Sequence, residues 1–227
     1  TTSTSTLTIT GTDPATVAQL KTINAATSGT VTLNSQTIAA NLSGSAVDLA
    51  AAFDGITTST SMLTITGTTP ATVAELMTIN AATSGTVVLN SQTIAANLSG
   101  SAVDLVAAFD GITSHTGGLT IAGTTPATVA ELMTINAATS GTVVLNSQTI
   151  ATAYTDTAAN LISAFTGITS HTGGLTVSDT GAVSAADLTN ISSSTSGLTT
   201  ANATTHIIGS SAAIVAAIGA VVEALTV

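Results

Sequence analysis

Three histidines and 11 carboxylates are the groups that could carry acid–base or metal chemistry in this 227-residue chain, beside one cation, Lys21. His115 and His171 stand one repeat apart, each inside GITSHTGGLT. Stacked repeats would bring two imidazoles together as a metal pair. The matching position in the first copy is Ser59, however, so both histidines are expected to be structural loop residues. His206, beside Ile207 and Ile208, is read as structural too. Among the carboxylates, Asp48 matches Asp104 and Asp54 matches Asp110, whereas Asn160 and Thr166 take those places in the third copy. Glu75, Glu131 and Asp187 align with Gln19. Helix capping and solvation account for most of these. Asp54, Asp104 and Asp110 are the candidate metal ligands, and calcium is the cofactor they would take, bridging coils or subunits through several oxygens.

Catalytic motifs are missing. Ser and Thr are so abundant that a Ser, His and Asp can be picked anywhere, without specificity. No GxSxG elbow, P-loop or GxGxxG occurs. Neither does an EF-hand loop or a glycine-and-aspartate nonapeptide. Nearly equal copies also argue against one unique active site, so the chain is not expected to be an enzyme.

Hydroxyl and amide rows are more prominent. Thr8, Thr64, Thr120 and Thr176 share one register; Thr10 and Thr66 form a second, broken by Ala122 and Ser178. Exposed-strand propensity and hydroxyl ladders explain them. A flat Thr array that orders water, as in ice-binding solenoids, is the sharper alternative. Asn24, Asn80 and Asn136 make a third row, and Asn34, Asn90, Asn146 and Asn202 a fourth at expected turns. These rows are read as ladders that satisfy backbone groups.

All of them are positioned by one repeat. Leu7, Leu63, Leu119 and Leu175 begin similar segments spaced 56 residues apart (63−7, 119−63, 175−119). This divides the chain into a Thr/Ser-rich lead-in over 1–6, copies over 7–62, 63–118 and 119–174, and a degenerate fourth copy over 175–227, in the manner of a capping repeat. Each copy is expected to hold two strand-plus-helix halves. LTIT alternates as a half-buried strand, Pro14 opens a helix presenting Val17, Leu20 and Ile23, and Gly29 ends it. In the second half, Thr86–Leu89 and Gln92–Leu98 look extended about a turn at Asn90-Ser91. Ser101 then starts a short buried helix with Val103, Leu105, Val106 and Phe109, stopped by Gly111. Alternating strands and helices predict an α/β class with parallel strands, as a stacked α/β solenoid, or alternatively a closed βα barrel.

The last segment, SSAAIVAAIGAVVEALTV, predicts an apolar helix capped by Ser210 or Ser211. It is expected to cap the solenoid's open end. Its alternative role is an assembly interface through Ile214, Ile218, Val221, Val222 and Leu225. A membrane span is not expected, because the run is barely long enough and contains Glu223.

Composition sets the remaining bounds. Only 5% of residues are charged, against roughly 25% in ordinary domains. At net −10 there is no basic patch to release counterions from nucleic acid. Anionic membranes are disfavoured for the same reason, and divalent cations suit such a surface. Without Cys there are no disulfides or thiolate sites. Aromatic residues are 2%, so Ala, Val, Leu and Ile must build the core. With no initiator Met and no signal segment visible, a processed product or a fragment is expected.

LTVSDTGAVSAADLTNISSSTSG and LTITGTTPATVAELMTINAATSG resemble repeats of large secreted bacterial surface proteins, notably cyanobacterial ones. The Thr-, Ala-, Ser- and Gly-rich, Lys-poor composition is similar to S-layer and extracellular-fibre proteins. The resemblance implies export and a surface or matrix role, and it carries no catalytic residues over. The expected function is a structural subunit of a self-assembling extracellular filament, sheath or surface layer, whose partners are copies of itself joined head to tail. An adhesin stalk or a Thr-face binding module is the alternative.

Overall fold

The computed structural model describes residues 3–221. The first copy holds β1 (Leu7–Thr8), α1 (Val17–Ala25), β2 (Val31–Thr32), α2 (Ser35–Ala39), β3 (Leu42–Gly44) and α3 (Ala46–Phe53). The second repeats it as β4 (Leu63–Ile65), α4 (Val73–Ala82), β5 (Val87–Val88), α5 (Ser91–Ala95), β6 (Leu98–Gly100) and α6 (Ala102–Phe109). The third gives β7 (Leu119–Ile121), α7 (Val129–Ala138), β8 (Val143–Val144), α8 (Ser147–Ala151), β9 (Tyr154–Asp156) and α9 (Ala158–Phe165). The fourth departs, with β10 (Leu175–Val177), β11 (Ala182–Ser184), α10 (Ala185–Ser193), β12 (Thr199–Thr200), β13 (His206–Ile208) and α11 (Ser211–Ala220).

The class is mixed α/β with parallel pairing. The described strands lie in sheets of two or three strands, not in a closed barrel. Two compact units form, Thr1–Leu98 with Asp104–Gly117, and Ser99–Val103 with Gly118–Val227. In the first unit β4 is central: Leu63 opposes Leu42 of β3 and Val87 of β5, both parallel. A helix must cross over between parallel neighbours. Here α3 links β3 to β4, and α4 links β4 to β5. In the second unit β10 is central in the same way, with Leu175 opposite Tyr154 of β9 and Thr199 of β12.

One leucine on each of seven helices anchors the core. Leu20, Leu76, Leu132 and Leu188 on the longer helices, and Leu49, Leu105 and Leu161 on their partners, are fully shielded. Phe53, Phe109 and Phe165 close the second set. Burial of each such side chain stabilises by about 1.5–3 kcal/mol.

Three sequence expectations need correction. Each of the first three copies contains three strand-plus-helix steps, not two halves. The additional helix, the middle one of each copy, is SQTIA, which replaces the expected turn and most of the expected extended run over 92–98. Its cause is local: Asn90 is an N-cap whose side chain accepts from Thr93 N–H. Pro14 does not open α1. The N-cap is Thr16, in a reciprocal capping box with Gln19, and Thr72–Glu75 and Thr128–Glu131 repeat it. Finally, Val103 is exposed, whereas Leu105 and Phe109 are buried as expected.

Gly85 and Gly117 mark close approaches between neighbouring segments. A Cβ on Gly85 would overlap the carbonyl of Ser61, and one on Gly117 the carbonyl of Ala96. Gly29 is in the same situation against Ser5. It serves this contact, since α1 has already ended at Ala25. Gly111 ends α6 with φ +72°, the left-handed stop read from the sequence.

Candidate functional site

The amide rows are joints between consecutive segments. Asn24 Nδ2 donates to the carbonyls of Ala51 (3.1 Å) and Asp54 (2.9 Å), at the end of α3. Asn80 does the same for Ala107 and Asp110 at the end of α6. In the second unit Asn136 donates to Ser163 and Thr166 at the end of α9. Ser192, the matching residue of the fourth copy, donates to Ala220 in α11. A helix end leaves carbonyls without intrahelical partners, and these side chains supply donors from the preceding long helix.

Asn34, Asn90 and Asn146 are used twice. The Oδ1 of each caps its short helix by accepting from Thr37, Thr93 or Thr149 N–H. The Nδ2 of each reaches back more than 20 residues. Asn90, for example, donates to the carbonyls of Gly67 and Thr69, both at 3.1 Å. Asn202, the fourth member, lies exposed in a turn that leads into β13 and not into a short helix. The capped threonines are fully buried and accept a second backbone bond: Thr37, Thr93 and Thr149 Oγ1 take the N–H of Ala15, Ala71 and Ala127 at 2.8–2.9 Å. Sequence reasoning missed these threonines, although their place three residues after an Asn is an N-cap signal.

His115 and His171 are buried rings outside the helices and named strands, in keeping with the structural reading. His171 is fully buried, its ring centroid 4.7 Å from that of Phe165 and 5.5 Å from that of Tyr154. Its Nε2 lies 2.9 Å from the Thr152 carbonyl, which can only accept, so Nε2 carries the proton. His115 stands edge-on to Phe109 at 5.0 Å. It lies near the Ala96 carbonyl without reaching bonding geometry, so both buried ring nitrogens lack a partner. Burial pushes both imidazoles below the ordinary histidine pKa, because desolvation opposes the charged form. His206 is exposed in β13, its Nδ1 3.0 Å from Thr205 Oγ1.

The carboxylates are dispersed. Asp54 is the exposed C-cap of α3, and Asp110 follows α6 at the equivalent place. Asp104 is in the first turn of α6, one helix length from Asp110. Among the described residues, no three His, Asp or Glu side chains are grouped to hold a metal ion. Asp48 instead pairs with Lys21 at 2.5 Å. Its carboxyl is held below the ordinary range by hydrogen bonds from Lys21 and Ser45 and by the lysine charge.

The Thr face is mixed across the sheets. Thr64 is flanked by Ser43 and Val88, and Thr120 by Val144. Around β10 three threonines are adjacent: Thr155, Thr176 and Thr200, with Thr200 Oγ1 donating to Thr176 Oγ1 at 2.9 Å.

In the last helix Ser210 is the N-cap, accepting from Ala213 N–H. Val215 and Ile218 are exposed, Ile214 is half-buried and Val221 is buried. Val222 and Leu225 lie outside the described residues. Among those described, no helix is long and apolar enough to cross a membrane. No protein family, curated protein or solved structure matches this chain.

Proposed function

We propose that the chain is a structural element that assembles with copies of itself in an extracellular filament, sheath or surface layer, its repeats stacked as an α/β solenoid. The observation that carries this proposal is the use of its polar rows. The Asn and Thr side chains that recur every 56 residues are spent on backbone groups 21–30 residues away, joining separate segments of the same copy. Side chains committed in this way hold the repeat's framework together, which supports a structural role. Sparse charge supports the same role, because copies can crowd with little repulsion. In this proposal the chain is not an enzyme, and Asp54, Asp104 and Asp110 bind calcium only where coils or copies meet.

Electron microscopy of the purified chain, with calcium and with chelator, is the test. Regular filaments or sheets are expected, and their loss with chelator would assign the carboxylates to calcium bridges. Isolated particles at all concentrations in both conditions would sink the proposal.

A Thr-face binding module is the second reading. The Thr155–Thr176–Thr200 ladder favours it, since three neighbouring hydroxyls form a regular strip. Thermal hysteresis abolished by Thr176→Lys would support ice binding; its absence in the wild type would exclude it.

A further inference from the structure

Helix-on-helix packing inside the chain defines what the first and last described helices accept. In the first unit α3 lies between α1 and α4. In β4 and α4, Ile65 is 2% exposed and Ile79 fully buried. The same residues one repeat earlier, Ile9 and Ile23, are only half-buried. With Pro14, Ala15, Ala18 and Thr22 they line an open groove of about 560 Å³. The strands agree: β4 is hydrogen-bonded on both edges, and β1 on one. The groove therefore has the shape and chemistry of a seat for a helix like α3.

The second unit carries such a helix. There α9 lies against α10, and α11 lies against α10 as α3 does against α1. Aligning the N-caps Thr157 and Ser210 matches Leu161 with Ile214, Ala164 with Ala217 and Phe165 with Ile218. Leu161 and Phe165 are fully buried, whereas Ile218 is 51% exposed and neighbouring Val215 71%. Charge does not oppose contact. Ser211–Ala220 has no ionisable side chain; the groove carries one carboxylate, Asp13, where later copies have Thr69 and Thr125, and Gln19 where they have Glu75 and Glu131.

We propose that the α1 groove of one chain receives α11 of a second copy, repeating between molecules the α3-on-α4 packing used within one. This rests on the self-assembly proposed above and names its contact. The two faces differ and lie on different elements, so the contact is heterologous and propagates.

Two exposed positions test it without touching the core: Ala18→Asp in the groove and Val215→Asp on α11, each in the full chain and each checked for folding by circular dichroism. Sedimentation velocity over a concentration series is the readout. The wild type is expected to form growing linear species, and each variant alone to stay monomeric. An equimolar mixture is expected to give dimers and nothing larger, since one sound groove and one sound α11 remain. Polymers persisting in both variants, or a mixture without dimers, would overturn this contact while leaving self-assembly standing. A wild type that never associates would overturn self-assembly itself.

Discussion

His171 donates through Nε2 to the carbonyl of Thr152 at 2.9 Å. Two repeats earlier the equivalent carbonyl, that of Ala40, is met by the hydroxyl of Ser61. Ser59 and Ser61 in the first copy thus become His and Gly in the later ones, and a ring fills the space that two hydroxyls occupied. The exchange adds a titratable group to the core of both later copies, and in the third it preserves a donor for the carbonyl.

Acid should therefore weaken the fold. The unfolded chain takes up a proton at the ordinary imidazole pKa of about 6.5, whereas buried His115 and His171 do so only at lower pH. The stability contributed by their neutral forms is complete above about pH 6.5 and is lost as pH falls below it. Melting curves at pH 7.5 and 5.5 should show a drop in Tm. His115→Gln with His171→Gln should shrink it. An unchanged drop in the double variant would assign the effect to carboxylates.

Thr93→Val should destabilise by about 1–3 kcal/mol, because the buried Ala71 N–H loses its acceptor without gaining water. Thr78→Val, on a half-exposed helix face, should change stability by less than about 0.5 kcal/mol. Urea denaturation of the two variants checks the contrast.

Asn80→Ala should cost about 1–2 kcal/mol, since two carbonyls at the end of α6 lose their donor. Asn80→Ser should recover part of that, as Ser192 fills this role in the fourth copy. Equal losses in both variants would mean that the amide acts by packing alone.

Lys21→Met, which installs the residue of copies two and three, should leave Tm within error at low and high salt. Both partners of the Lys21–Asp48 pair are about half exposed, where solvent and ions screen the attraction. A marked salt-dependent fall in Tm would show the pair to be structural.

The sequence by itself determined what depends on near neighbours. Alternation in LTI, the leucine spacing of the longer helices and the glycine stop at Gly111 all act within a few residues, and all occur where the pattern placed them. The 56-residue period likewise foretold equivalent bonds in equivalent places. The short helix Ser91–Ala95 was not legible as such, because five residues cannot display a helical period and its capping Asn also fits a turn. Tertiary structure alone decided the rest. Asn80 bonds carbonyls 27 and 30 residues away, and Thr93 an N–H 22 residues away. Whether His171 faces water or Phe165 depends on which segments come to lie beside it, and so does the difference in burial between Ile9 and Ile65. These outcomes are set by long-range packing, where one local sequence meets different surroundings and buries different atoms.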